Sequence, residues 1–280
     1  MAPTIVITGC TEGSIGYYLA KEFSSRGYDV FATARRPDST GDLQDCAGVT
    51  VLPLDITSKD SIQKLYEDVS SKTNGKLDIL YNNAGKMKRI MAIDSTREQA
   101  EDTFNTNLFG VIELNTTFAD LVIAAKGRFV FTGSCGAIAP VPTLSIYNAS
   151  KAALHAYINT LRIEMSPFGV EVVNVITGGV KSHIWNAERI SKEDSPYTSI
   201  QEKLDEANAS SAKSSTDPAV YARKVVSAIV RRNPPADIWA GAGASVFWFI
   251  DRLNLRWMYR FVFAKMYGLD SLCTSQDKSR

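Results

Sequence analysis

The chain has 280 residues, of which 45% are hydrophobic and 22% charged, enough for one large domain and too apolar for a disordered polymer. Lys and Arg number 31 against 30 Asp and Glu, a net charge of +1, so no bulk field draws a polyanion and nucleic acid is not expected as a partner. Cys10, Cys46, Cys135 and Cys273 lack CxxC spacing and His155 and His183 are the only histidines; no metal site is expected, and the thiols read as reduced in a cytoplasmic setting.

Met1 to Ile7 enters a short apolar strand with no charged leader before it, so no secretory signal is expected, nor an uninterrupted apolar run long enough for a bilayer. Strands are expected at Thr4–Thr8, Tyr28–Ala34, Val49–Pro53, Leu77–Tyr81, Arg128–Thr132, Val170–Ile176 and Asp237–Ala240. Several are apolar almost throughout, as where both faces of a sheet are covered. The stretches between them carry helical spacing, as in Ile62-Leu65-Val69 and Leu154-Tyr157-Ile158-Leu161. This alternation predicts an α/β fold, a Rossmann-like doubly wound seven-stranded parallel sheet with helices on both faces, over residues 1–243.

Within it, Lys181 to Thr216 is polar and holds the run Ser210-Ser211-Ala212-Lys213-Ser214-Ser215, which reads as a substrate lid, mobile or partly disordered. His183, Ile184, Trp185 and Tyr197 give that lid apolar surface enough to close over a lipophilic substrate. Asp217-Pro218 marks an N-cap and a first-turn proline where helix resumes. From residue 244 to 280 an apolar, basic tail follows, with Arg252, Arg256 and Arg260 recurring every four residues among Phe247, Trp248, Phe249, Trp257 and Phe261. Read as one helix, the tail has two uses: peripheral contact with a membrane surface, such as endoplasmic reticulum or lipid droplet, or packing on the domain or a dimer partner with its arginines reaching water.

The first strand runs into Thr8-Gly9-Cys10-Thr11-Glu12-Gly13-Ser14-Ile15-Gly16 and then a helix. Glycines at such a turn let free amides and the positive helix end approach a pyrophosphate. The second strand ends in Arg35-Arg36 rather than in an acidic residue, which suits the 2′-phosphate of NADP(H). Tyr147 and Lys151 stand four apart at the start of a helical stretch. They share one face, where an ammonium favours a phenolate and lowers the phenol pKa toward neutrality, so that the tyrosine can exchange a proton with a carbonyl or alcohol oxygen.

With Ser134 after the fifth strand, Asn82-Asn83-Ala84-Gly85 after the fourth and Asn107-Leu108-Phe109-Gly110 in the intervening helix, the chain resembles the short-chain dehydrogenase/reductase superfamily over residues 4–240. The resemblance implies a pyrophosphate turn of Thr8, Gly9, Gly13, Ser14, Ile15 and Gly16, with Asp55 at the adenine. Asn82 with Gly85 would stabilise the central sheet beside the cofactor, Ala84 would lie with them at the cofactor, and Val180 and Ser182 near its nicotinamide end. It implies Tyr147 as the acid in reduction or the base in oxidation, and Lys151 as the holder of the nicotinamide ribose. Ser134 would polarise the carbonyl and Asn107 would anchor a proton-relay water. A homodimer through helices around 96–125 and 146–166 is also implied.

Two features depart from the family pattern. Ser14 is an insertion or replaces a glycine, able to bond a phosphate or to strain the turn. Thr177-Gly178-Gly179-Val180 stands where Pro-Gly is usual. Several strings resemble the NADPH-dependent 1-acyldihydroxyacetone-phosphate reductases and related fungal-type tailoring reductases. Lys86-Met87-Lys88-Arg89 would then be either a receptor for a phosphate headgroup or a solvated basic loop. The expected activity is reduction of a lipophilic ketone, an acyl-dihydroxyacetone phosphate-like lipid or similar. A ketoreductase or dehydrogenase of polyketides or terpenoids is the alternative, and a non-redox isomerase or binding protein on the same fold is a second.

Overall fold

A computed structural model describes residues 2–186, 189–190 and 192–272. Strands β1 (Thr4–Thr8), β2 (Asp29–Ala34), β3 (Val49–Pro53) and β4 (Ile79–Asn82) alternate with helices α1 (Ile15–Ser25) and α2 (Lys59–Thr73). After a two-residue strand β5 (Arg89–Ile90) come α3 (Arg97–Phe104), α4 (Gly110–Ala125), β6 (Arg128–Thr132), α5 (Ser145–Met165) and β7 (Glu171–Thr177). The chain ends through β8 (Arg189–Ile190), α6 (Gln201–Lys213), α7 (Pro218–Ile229), β9 (Asp237–Ala240), α8 (Ala244–Arg252) and α9 (Met258–Met266). The main sheet has seven parallel strands in the order β3-β2-β1-β4-β6-β7-β9. The expected strands are all present, with ends shifted by a residue or two.

Alternation along each strand builds two cores. Ile5 and Ile7 of β1 face α1 and α7, meeting Leu19, Phe23, Tyr221 and Val225, whereas Val6 faces Leu65, Leu114, Phe118 and Ile158 of α2, α4 and α5. The helical run Arg97–Ala125 is long and apolar enough by length and composition to cross a bilayer, although Asn105, Asn107, Glu113, Asn115 and Asp120 interrupt it. Its apolar side chains Val111, Leu114, Phe118, Leu121 and Val122 are nevertheless spent on the sheet.

The sheet order reverses between β1 and β4, because the chain builds outward through β2 and β3 before returning beside β1. Ligands of such folds bind outside that switch point, at the carboxyl ends of the strands.

The expected lid is ordered rather than disordered over its second half, as helix α6 with the serine run at its end. The serine hydroxyls return to the helix: Ser211 donates to Ala207 O (2.9 Å), Ser214 to Ser210 O (3.0 Å) and Ser215 to Ser211 O (2.9 Å). A polar sequence thereby satisfies itself without leaving the helical path. The tail is likewise not one helix. Asn254 takes φ 55° between α8 and α9, breaking the arginine stripe, and the two short helices fold back on α6. Ile200, Leu204 and Ala207 meet Tyr259, Phe263 and Tyr267 in a third, smaller core. Residues 182–185, 197–213 and 244–272 thus form a cap over the sheet's carboxyl edge.

Candidate active site

At the end of β1, Gly9 and Gly13 take φ of +76° and +74°, a region that disfavours side chains. Gly16 is required for closeness instead: a Cβ there would lie 2.4 Å from Gly9 O and 2.6 Å from Asn83 Nδ2. Ser14 is neither strained nor free for a phosphate. Its φ of −82° and ψ of 165° are ordinary, its hydroxyl donates to Gly9 O (3.0 Å), and it accepts from Tyr17 N (3.2 Å) as the N-cap of α1. Thr8 Oγ1 accepts from the backbone N–H groups of Asn83 and Ala84, both at 2.9 Å, locking the ends of β1 and β4 together across the switch point.

A cavity of ≈ 1120 Å³ opens there. Gly9, Ser14, Ile15, Arg35, Asp55, Ala84 and Gly85 line it together with Ser134, Tyr147, Lys151, Val180 and Ser182. Of the other expected cofactor residues, Thr8, Gly13 and Gly16 shape the turn from behind without lining this cavity. Arg36 stands apart from it, its carbonyl accepting from Ser39 N at 3.0 Å, so one arginine of the pair reaches the lining. Asp55 accepts from the Thr57 hydroxyl (2.7 Å) and N–H (2.9 Å). These bonds, chiefly the hydroxyl's, hold its carboxyl below the usual range, with Arg35 adding to them. Asn82 turns inward, donating to Asn115 Oδ1 at 2.9 Å; it ties β4 to α4 and does not line the cavity. Its neighbour Asn83 does, and donates to Thr8 O at 2.8 Å.

Ser134, Tyr147 and Lys151 converge on the same cavity. Lys151 is 4% exposed. Its Nζ donates to Thr132 O at 2.9 Å and lies 5.9 Å from the centre of the Tyr147 ring. Burial lowers its pKa to about 8. The Tyr147 phenol is raised by burial, with the Ser134 hydroxyl pulling the other way. The expected depression by Lys151 is not seen: desolvation disfavours the phenolate, and the Ser134 hydroxyl is the group that opposes it.

His155 completes the face begun by Tyr147 and Lys151. Its Nε2 accepts from the Ser134 N–H at 3.2 Å, and burial, with Lys151 beside it, lowers its pKa to about 4. The spacing of 147, 151 and 155 carried that signal. Cys135, adjacent to Ser134, is buried and its thiol is pushed up to about 12, which leaves it a protonated wall residue.

Asn107 sits in a π-helical turn, Asn105–Phe109, between α3 and α4, a widened geometry common at functional sites. It is wholly buried. Its Oδ1 accepts from Lys86 N (2.8 Å), and its Nδ2 donates to Lys86 O (2.9 Å) and Ser150 Oγ (3.0 Å). The amide is thus a clamp on the loop after β4 and on α5.

The basic loop after β4 is already engaged. Lys86 and Lys88 each reach Asp102 at 2.7 Å, and Arg89 donates to Trp185 O at 2.8 Å while lying 5.5 Å from its ring. The Thr-Gly-Gly departure has a steric basis, since a Cβ on Gly178 would lie 2.2 Å from Ala242 O. Val180 O accepts from Trp185 Nε1 at 2.7 Å, drawing the cap toward the cavity.

The far wall is apolar. The expected lid residues Ile184 and Trp185 line it, Tyr197 does not, and Leu144, Phe247, Phe263, Met266 and Tyr267 complete it with Asn208 and Ser211 of α6. The Nδ2 of Asn208 is buried with no hydrogen-bond partner among the described residues. His183 donates from Nε2 to Glu12 O at 2.9 Å, joining the cap to the glycine turn.

Residues 3–193 match the family model described as short chain dehydrogenase, and the chain belongs to that family of oxidoreductases. The short-chain dehydrogenase fogD of Aspergillus ruber is 36% identical over 95% of this chain and 94% of its own. The NADPH-dependent 1-acyldihydroxyacetone phosphate reductase of Schizosaccharomyces pombe is 44% identical, over 64% of this chain and 60% of its own. Among solved structures, a short-chain dehydrogenase from Streptomyces avermitilis superposes with a TM-score of 0.80 at 25% identity, covering 98% of both chains.

Proposed function

We propose that the chain is an NADPH-dependent ketoreductase of unphosphorylated, lipophilic ketones that carry a second polar oxygen. The observation behind this reading is one cavity holding Ser134, Tyr147 and Lys151 opposite an apolar wall. The turn backbone at Gly9, Ser14 and Ile15 lines the cavity at the start of α1, a helix N-terminus that fits a pyrophosphate. Arg35 is the group suited to the 2′-phosphate. When bound there, the dihydronicotinamide supplies a hydride to the carbonyl carbon. Tyr147 then delivers its proton to the carbonyl oxygen, the Ser134 hydroxyl polarises that oxygen by donating to it, and Lys151 stabilises the phenolate left behind.

The engaged loop after β4 weighs against a phosphate headgroup, because two of its cations share Asp102 and the third holds Trp185. The far wall offers aromatic surface for a hydrophobic body and the Asn208 amide for a second oxygen. This reading parts from the Schizosaccharomyces pombe relative, which is named for a phosphorylated substrate.

The test is a ketone panel followed by NADPH consumption, comparing polyketide-like and terpenoid ketones with acyl-dihydroxyacetone phosphate. Turnover should favour the unphosphorylated ketones. Tyr147→Phe should lower it by about 10²–10⁴-fold with NADPH affinity unchanged. Preference for the phosphorylated lipid, or full activity in the phenylalanine variant, would overturn the reading.

A further inference from the structure

The tail helices that close the cavity have a second face. Val246, Trp248 and Phe249 on α8, Leu253 just after it, Trp257 just before α9, and Phe261, Val262 and Met266 on α9 are each at least 41% exposed. Among the described residues, these are eight of the thirteen exposed large apolar side chains, so the exposure is concentrated here. Such a patch marks an interaction surface. The two helices are held together from within by Phe247 against Tyr259, 6.1 Å between rings. Their outer rings are not needed for that packing.

The charge on this segment names the partner. Between Ala244 and Asp270 stand Arg252, Arg256, Arg260 and Lys265 against Asp251 and Asp270. Asp251 is taken by Arg256 at 2.9 Å, and Arg252, Arg260 and Lys265 are exposed. A symmetric contact between two copies through this face would set the same cations against each other. An anionic bilayer surface pairs them with phosphates and takes the tryptophan and phenylalanine rings among the acyl chains. Met266 belongs to both sides, being 41% exposed on the patch and part of the cavity lining.

We infer that the outer face of α8 and α9 seats the protein on an anionic lipid surface, so that the cavity opens beside Met266 toward the bilayer and takes its ligand from it. This seat is independent of the reaction proposed above. It differs from a helix lying flat along its whole length: the two short helices spend their inner sides on the cap, and only their outer sides meet lipid.

Flotation of the full chain with vesicles of phosphatidylcholine alone, and of an equimolar mixture with phosphatidylserine, tests the seat directly. Binding should require the anionic lipid, and brominated acyl chains should quench the fluorescence of the exposed Trp248 and Trp257. Arg252→Gln with Arg260→Gln should weaken binding to the anionic vesicles about fivefold per charge removed. Trp257→Ser with Phe261→Ser should abolish flotation while leaving the thermal midpoint unchanged. Absence of flotation and of quenching in the wild type would overturn the seat. So would light scattering that shows a dimer which the Trp257→Ser, Phe261→Ser variant dissolves, because the face would then belong to a second copy.

Discussion

The sheet edge and the cap each supply half of the cavity, yet they are built in different ways. The sheet edge places Gly9, Ser134 and Lys151 by backbone register and close approach, over two cores that span the whole sheet. The cap places Phe247, Phe263 and Tyr267 by side-chain packing among three short helices, around a core of eight buried residues. Catalytic groups sit on the rigid half and the substrate wall on the half with fewer contacts, the distribution expected where one scaffold carries one reaction and its specificity varies.

The largest effect should separate the two halves by their stability. Leu114 is fully buried beneath the sheet, and Leu114→Ala should lower global stability by about 3 to 4 kcal/mol, read as a shift of the urea midpoint. Phe263→Ala removes a ring stacked 5.7 Å from Tyr259, but the cap should yield locally. Hydrogen exchange should then rise in α6 and α9 with the global midpoint nearly unmoved. Equal global shifts would show the cap and sheet to be one cooperative unit.

Next in size is the acid limb of stability, which tests the catalytic face. His155 falls from an ordinary 6.5 to about 4 in the folded protein. Between those values the unfolded chain holds the extra proton. The stability tied to the neutral imidazole is therefore complete above about pH 6.5 and drains as pH falls toward 4, by at most about 3 kcal/mol. His155→Gln should flatten that slope and lower kcat through the loosened Ser134 backbone, without touching NADPH affinity. An unchanged slope would mean that the imidazole is solvated and carries no such linkage.

What could be read from the sequence follows the same division. The strands were legible because a parallel sheet covered on both faces leaves apolar runs, and the turn and catalytic residues because they lie at strand ends and on one helix face. Asn82 ties the sheet together through Asn115 and Val130 O, the sheet-stabilising role that the resemblance implies, whereas the cavity is lined by Asn83, since adjacent residues at the end of β4 point opposite ways. The fate of Lys86 and Lys88 depended on Asp102, which α3 brings to them from another element. The cap was least legible. Its helices are short, its serines satisfy one another, and the break at Asn254 is a local backbone reversal inside an otherwise helical pattern.

A smaller effect should come from the turn itself. In Gly16→Ala the new methyl meets the Gly9 backbone carbonyl and the Asn83 side-chain amide, which Thr8 O pins at 2.8 Å, so the turn must widen. The expected loss is about 2 kcal/mol of stability, with NADPH binding, followed by its fluorescence, lost almost entirely. Binding lost without destabilisation would place the collision in the cofactor's path alone. The same substitution at Gly75, where nothing lies within 4 Å of the added Cβ but φ is +73°, separates collision from backbone strain.

The smallest effect probes the seam between the halves. His183 of the cap donates to the Glu12 carbonyl of the glycine turn from an exposed position. A solvated hydrogen bond of this kind contributes about 0.5–1 kcal/mol. His183→Ala should therefore weaken NADPH binding by about threefold, because the cap then closes less firmly over the turn. kcat at saturating cofactor should stay constant, since His183 makes no hydrogen bond to Ser134, Tyr147 or Lys151. A fall in kcat with unchanged affinity would place the imidazole at the substrate instead, and would move the boundary between scaffold and cap into the reacting centre.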